Sequence, residues 1–386
     1  MAGGALACLA AFRSRGGQLE GKAIHVVMVL AISWAALSMV LAGTMGPGGL
    51  FALFDRFGVG LFLVFAIAPC VYWEDESREF LFRVFAVLGI YLSIVSIGQL
   101  SGIPSLVWPS YILDPNVGIH IERARGPYVE SVANGLMLSY SAAFAVGVAL
   151  VDRSRRWRVA GGVVAALCAV GILLTLTRAI WLGAAAAAIA ATILIPQLRR
   201  LALPGAVTLI LAVGLVYTFV PGVSEGAEAR AEDEYPVWDR LNTNSAGARM
   251  LESNPVAGIG WNNSASKMVE YIRQGDTYPV SVSSGQVEIH NVFLSRLAEI
   301  GIPGFVLWLA VLVMAVVAAV VRVPDYSSLE PLRSVLAAML IVWTFAAMLG
   351  PAPYLQPNYV LWTVAGAVSL GSLVRLPPRA STWPVK

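Results

Sequence analysis

Three side chains in this sequence have the chemistry to hold an anion and move a proton: Arg178, Arg240 and His290. His290 is one of only three histidines, and imidazole takes a proton near neutral pH without a special environment. It stands in EIHNVFLSRLAEIG, next to Asn291 and just before an apolar segment; Glu288 and Glu299 are alternative proton acceptors there. Arg178 lies in LLTLTRAIWLG between two apolar runs. It is either an arginine snorkelling from a helix end or a ligand for an anion such as phosphate, which a permanently charged guanidinium grips in bidentate fashion. Arg240 and Arg249 are nine residues apart, so on one straight helix they point about 180° away from each other. Only one of them can then face the same ligand, and spacing does not choose between them. Arg123 and Arg125, in HIERARGPYVE beside His120, either cover a lipid phosphate or anchor their own loop.

The motifs of other chemistries are absent. The chain has no GxSxG, HExxH, Walker or GxGxxG pattern, and its large polar segment 222–302 holds no DxD-like pair or histidine cluster for a divalent metal. Cys8, Cys70 and Cys168 have no metal-like spacing. Neither a disulfide framework nor a metal or other cofactor is expected, and no nucleic-acid partner. An arginine-plus-histidine site is what remains.

The elements that must position this site are membrane helices. The 386 residues are 58% hydrophobic and only 13% charged, against about 25% charged in soluble chains. Apolar runs of roughly 20 residues recur from end to end, the length that crosses a bilayer core of about 30 Å. The expectation is an all-α polytopic membrane protein, a bundle of about 10–12 transmembrane helices with one large helical loop. The expected spans are 24–43, 57–72, 80–99, 132–151, 158–176, 180–196, 203–221, 303–322, 333–350 and 359–374. This divides the chain into an N-terminal bundle (1–221), the large loop (222–302) and the C-terminal helices (303–386). Arg153, Arg155, Arg156, Arg158, Arg199, Arg200, Arg322, Arg333, Arg375, Arg379 and Lys386 all fall on one face, which the positive-inside rule makes cytoplasmic together with both termini. The acid-rich turn 73–83 is assigned to that face as well.

The opposite, periplasmic face receives the segment 100–131, the turn at Arg178 and the large loop, with Glu225, Glu228, Glu232, Asp233, Glu234 and Asp239 clustered at its start. Within that loop, helices are expected over 238–254, ended by Asn254-Pro255, and over 262–274, joined by the glycine turn VAGIG. His290-Asn291 then opens the segment leading back to the membrane, which puts His290 near the level of lipid head groups.

At these residues the sequence resembles the O-antigen ligase and polymerase superfamily of integral-membrane glycosyltransferases. The resemblance rests on TLTRAIWLG at a membrane boundary, on DRLNTNSAGARMLESNPVAGIG as an arginine helix ending in a Pro-x-x-Gly-x-Gly turn, and on HNVFLSRLAEIGIPG closing the large loop. RARGPYVESVANGL is a weaker fourth match. Two positions depart from the family pattern: a Thr in the first motif where Ser is commoner, and Asn244 in place of a tryptophan. The resemblance implies a GT-C-like helical enzyme of the bacterial inner membrane. It would use an undecaprenyl-diphosphate-linked glycan as donor, without metal or nucleotide sugar, and invert the anomeric centre. Carried across, Arg178 and Arg240 hold the diphosphate and His290 deprotonates or orients the acceptor hydroxyl. The acceptor would be lipid A–core in a ligase or a second lipid-linked glycan in a polymerase; the single dominant loop tilts the expectation to ligase. The rival class is a flippase, but the spans carry few charges and the polar residues gather outside them, which favours catalysis at a surface over passage through the membrane.

Overall fold

The structure, a computed structural model, describes residues 9–14, 16–200, 235–273, 287–320, 329–351 and 354–375, with single positions between 205 and 218. The expected span 203–221 (single positions apart), the acidic residues Glu225, Glu228, Glu232, Asp233 and Glu234, and Cys8, Arg322, Arg379 and Lys386 lie outside the described residues.

Helices α1 (Ala23–Leu41), α2 (Pro47–Val71), α3 (Asp75–Leu100), α4 (Ser131–Val151), α5 (Arg155–Leu174) and α6 (Arg178–Leu194) form the first part of the bundle. Helices α7 (Tyr235–Ser253) and α8 (Ser264–Tyr271) follow, then α9 (Val292–Val320), α10 (Glu330–Leu349) and α11 (Leu355–Val368). Seven of these, α1 to α5 with α9 and α10, are long and apolar enough to cross a membrane, and the chain is an all-α polytopic membrane protein. Two expected spans are shorter than about 20 residues: α6 has 17 and α11 has 14. Both still pack into the bundle, α6 against α10 and α11 against α2.

The hub is α4, which packs against α3, α5 and α10. Its most apolar window is 67% buried, whereas the other spans keep only 33–50% of theirs inside and turn the remainder outward. On α1, for example, Val26, Val29, Leu30, Leu37 and Val40 are exposed, which suits a lipid-facing stripe. Small residues let α4 and α5 approach closely: a side chain at Gly161 would meet the backbone of Ala145 and Ala149 at 2.6 and 2.8 Å.

The acid-rich segment expected to be a turn over 73–83 is mostly helix. Helix α3 starts at Asp75, and Arg78 is buried by donating to the Tyr72 carbonyl at 2.7 Å and pairing with Asp75. Acidic residues in the first turn favour this early start, since they complement the helix dipole. At the same end, β1 (Gln18–Leu19) and β2 (Val374–Arg375) pair antiparallel and bring the two terminal segments together.

At the opposite end, α7 and α8 pack on α9 through a small core of Ala246, Met250, Ile259, Met268, Ile289 and Ala298. Residues 255–260 are laced to a kink in α9: Ile259 N–H donates to Ala298 O, Gly260 N–H to Glu299 O, and Ile302 N–H to Pro255 O, at 2.8–3.0 Å. The kink is at Gly301, with φ 66° and ψ −178°. Two glycines make this lacing physically achievable. Gly258 and Gly301 both have positive φ, and an added Cβ would sit 2.3 Å from the Glu299 oxygen and 2.1 Å from the Val256 oxygen respectively. The Pro-x-x-Gly-x-Gly turn is therefore a docking device. Trp34 Nε1 on α1 donates to Ile300 O at 2.8 Å, and Ser38 Oγ accepts from Trp261 N–H at 3.2 Å, so the loop helices are fixed to the bundle.

Candidate functional site

The candidate site draws on three parts of the chain: the first turns of α7, the extended segment 287–291 that enters α9, and, within electrostatic reach of Arg240, the start of α6. Helix α7 buries Thr243, Ala246, Gly247 and Met250, an i, i+3, i+4, i+7 face. Docking that face on α9 aims Asp239, Arg240 and Thr243 at His290. His290 Nδ1 lies 3.3 Å from Thr243 Oγ1, and Nε2 lies 3.5 Å from Asp239 Oδ2. Asn291 caps α9, its Oδ1 accepting from Leu294 N–H at 3.1 Å, and so fixes the backbone that carries the imidazole.

Burial holds the His290 pKa below its ordinary value; the Asp239 carboxylate opposes this and the Arg240 guanidinium adds to it. The imidazole is therefore neutral at physiological pH. The Thr243 hydroxyl lies 2.8 Å from the Asp239 carbonyl oxygen, a shorter contact than its 3.3 Å to Nδ1. Its single proton belongs on the carbonyl, so Nδ1–H donates to Thr243 Oγ1, and Nε2 faces the Asp239 carboxylate at 3.5 Å, which favours a proton arriving there.

Arg240 is half-buried, and its Nε has no hydrogen-bond partner among the described residues. Burial lowers its pKa; Asp239 opposes the shift, and the nearby charges of Arg178 and Arg123 add to it. It remains charged, because guanidinium does not lose its proton in proteins. Arg178 is the first residue of α6 and is exposed. A cation at a helix N-terminus is disfavoured by the helix dipole, so an anion bridging the backbone donors and the guanidiniums would relieve both. The helix starts there because residues 175–177 break the run from α5: Leu176 has φ 47°, and the Thr177 hydroxyl donates to Thr175 O at 2.9 Å.

The remaining candidates separate. Arg123 belongs to the arginine group, paired with Glu122 at 3.1 Å and within electrostatic reach of Arg240. Arg125 is fully buried and spends its guanidinium on the carbonyls of Val117, Ile112 and Asp114 at 2.6–3.1 Å, which anchors the loop 101–130. Arg249 points the other way on α7, as the helical angle requires, and its Nε donates to Tyr271 O at 2.7 Å. Glu299 is buried in an ion pair with Arg296 at 3.3 Å and accepts from Ser264 Oγ at 2.7 Å, so it supports the loop and does not face His290. Glu288 is half-buried, its pKa raised by burial and by Glu299, with Arg56 and Arg296 opposing.

Residue-by-residue reading missed Asp239, Thr243 and Tyr354. Asp239 was hidden in an acidic stretch, though its place one residue before Arg240 and four before Thr243 puts all three at one end of a helix. Tyr354, outside the spans, has its pKa raised well above the ordinary value by burial and by Glu130 and Glu288, with Arg240 opposing. Its position in the break between α10 and α11 leaves no periodic signal. It lines a narrow cleft that begins at Arg56 and Arg296 and turns apolar between Trp308, Trp343 and Trp362.

Residues 163–309, which contain Arg178, Arg240, Arg249 and His290, match a family model described as O-Antigen ligase. No curated protein matches the chain. Over residues 163–309 the chain is therefore similar to the O-antigen ligase family.

Proposed function

We propose that the protein is an inner-membrane glycosyltransferase that moves a glycan from undecaprenyl diphosphate to an acceptor hydroxyl at the periplasmic face. The observation that supports this reading is His290 held 3.3 Å from Thr243 and 3.5 Å from Asp239, with Arg240 in electrostatic reach of it and of Arg178 and Arg123. The guanidiniums hold the donor diphosphate. His290 Nε2 takes the acceptor proton as the acceptor oxygen attacks the anomeric carbon. The carbon–oxygen bond to the diphosphate breaks, and its electron pair leaves on undecaprenyl diphosphate. One displacement inverts the centre. Thr243 orients the imidazole through Nδ1–H, and Asp239 stabilises the imidazolium as it forms.

Preorganised guanidiniums stabilise the charge that grows on the leaving diphosphate, the part a divalent cation plays in nucleotide-sugar enzymes; we therefore expect activity without metal. Lipid A–core is the preferred acceptor, making the protein a ligase, with a second lipid-linked glycan as the polymerase alternative. The basic turn 153–158 at the end away from His290 supports a cytoplasmic assignment for that end and for both termini.

The test is transfer by the purified protein in detergent with EDTA, offering lipid A–core and a second lipid-linked repeat separately. Transfer that survives chelation and is lost in His290→Ala and Arg240→Ala supports the reading, and the acceptor consumed names the activity. Donor binding with no transfer to either acceptor overturns it in favour of a flippase.

A further inference from the structure

From Val84 to Leu113 the chain carries no charged residue, although α3 ends at Leu100. The uncharged run continues into the loop 101–130 through Ile103, Leu106, Val107, Trp108, Tyr111 and Ile112. This part of the loop turns back after Leu100 and runs down the side of α3. A Cβ on Gly98 would lie 2.7 Å from Leu106 Cβ and 3.1 Å from Val107 Cγ2, so the two segments touch with no room for a side chain between them. Val107 and Ile112 pack with Val95, and Tyr91 Oη donates to Trp108 O at 2.8 Å. Tyr91 precedes Leu100 by about 13 Å along the helix axis, and helical side chains lean further toward the N-terminus. Trp108 is therefore well below the end of α3. The loop climbs back by Arg125, whose backbone N–H donates to Gln99 Oε1 at 3.1 Å.

That descent takes place at bilayer depth. The uncharged part of α3, from Val84 to Leu100, is about 25 Å long, and the apolar core of a membrane is about 30 Å thick. A core of that thickness extends to Leu100, so a segment seated beside Tyr91 is inside it. Two features of the segment suit such a place. Its outer surface is apolar: Ile103, Leu106, Trp108 and Tyr111 are exposed, Trp108 to 73%, and they adjoin Val87, Ile90 and Ile94 on the exposed stripe of α3. Its irregular backbone is also bonded internally, as lipid requires. The N–H groups of Ile103, Leu106, Val107, Ile112 and Asp114 donate to carbonyls between Gly98 and Tyr111 at 3.0–3.3 Å, and Pro104 and Pro109 have no N–H to satisfy. The carbonyls of Ile112 and Asp114 accept from the buried Arg125 guanidinium. Charged side chains resume only at Asp114.

We propose that residues 103–113 form a re-entrant segment whose outer face is covered by lipid acyl chains of the leaflet at the α7–α8 end. Continuity with the exposed stripe of α3 assigns that face to lipid. The same loop then carries Arg123 to within electrostatic reach of Arg240, so the inserted segment sets the level of the arginine group at the membrane surface.

The experiment attaches a nitroxide at Ile103→Cys or Leu106→Cys in a Cys8→Ser background, Cys70 and Cys168 being buried. The full chain is reconstituted in vesicles of phosphatidylethanolamine and phosphatidylglycerol. Power saturation then gives the ratio of collisions with oxygen to collisions with a water-soluble nickel chelate. Val87→Cys is the lipid reference and Asn116→Cys the water reference. Oxygen concentrates in the apolar core and the chelate is excluded from it, so ratios within about twofold of the Val87 value and at least about fivefold above the Asn116 value are expected. Ratios at the Asn116 value overturn the proposal. Collisions that are rare with both probes also overturn it, because a protein partner or a second copy then covers the face. Should the variants fail to fold, wild type is irradiated in vesicles containing a phospholipid with a diazirine on its acyl chain. Label on residues 103–111 supports the proposal, and label on α3 without it overturns it.

Discussion

Replacing Asp239 by asparagine should move the acid limb of the pH–rate profile to lower pH. The carboxylate is 3.5 Å from His290 Nε2 and raises the imidazole pKa against burial and Arg240, which lower it. At that separation a unit charge pair is worth about 1.2 kcal/mol in water and about 4.7 kcal/mol at an effective dielectric constant near 20. The two side chains are 24% and 19% exposed, which places the interaction between those limits. The expected movement is about 1–2 pH units, each unit corresponding to about 1.4 kcal/mol. The sign follows from the role of the group. Only neutral His290 accepts the hydroxyl proton, so activity falls as pH drops through the folded pKa. In wild type that pKa is already below the ordinary 6.5, and removing Asp239 lowers it further. The plateau rate should fall at the same time, because the imidazolium formed in the transition state loses its counter-charge. The assay is initial transfer rate between pH 4.5 and 8.5 at saturating donor, with a stability check at each pH. An acid limb that stays in place, or moves up, would refute His290 as the base held by Asp239.

Three further outcomes are expected. Arg240→Lys keeps the charge but loses the fork, and should lower kcat about 10²-fold with a smaller change in donor KM, measured by transfer at saturating acceptor. Arg249→Gln removes the donor to Tyr271 O; the thermal midpoint should drop while transfer per folded molecule is kept, which scanning fluorimetry and active-fraction assays separate. Gly258→Ala forces a Cβ to 2.3 Å from a backbone oxygen at φ 69°; a loss of about 1–3 kcal/mol is expected, read as a lower midpoint and faster proteolysis of the α7–α8 region.

Much of this protein is legible in its sequence, because a bilayer imposes a rule that composition alone reveals: about twenty apolar residues with every backbone group bonded internally. Spans such as 24–43 and 132–151 agree with α1 (Ala23–Leu41) and α4 (Ser131–Val151), and the loop helices with α7 and α8. The ordered motifs also pointed to Arg178, Arg240 and His290 as residues for one site. Other features depend on packing. Spacing placed Arg240 and Arg249 on opposite helix faces, but only the docking of α7 on α9 decides which face meets His290. Arg123 and Arg125 are two residues apart and chemically identical; the fold of the loop 101–130 gives one to the arginine group and buries the other against three carbonyls. Tyr354 carries no local signal, and Asp239 only its helical spacing to Arg240 and Thr243, because each gains its meaning from a neighbour more than fifty residues away in the chain. Sequence determined the environment and the candidate reactive groups, through solvation and chemistry that are local properties. Tertiary structure decided their pairing, because the fields that tune an imidazole or a guanidinium are set by distances of a few ångströms across separate helices.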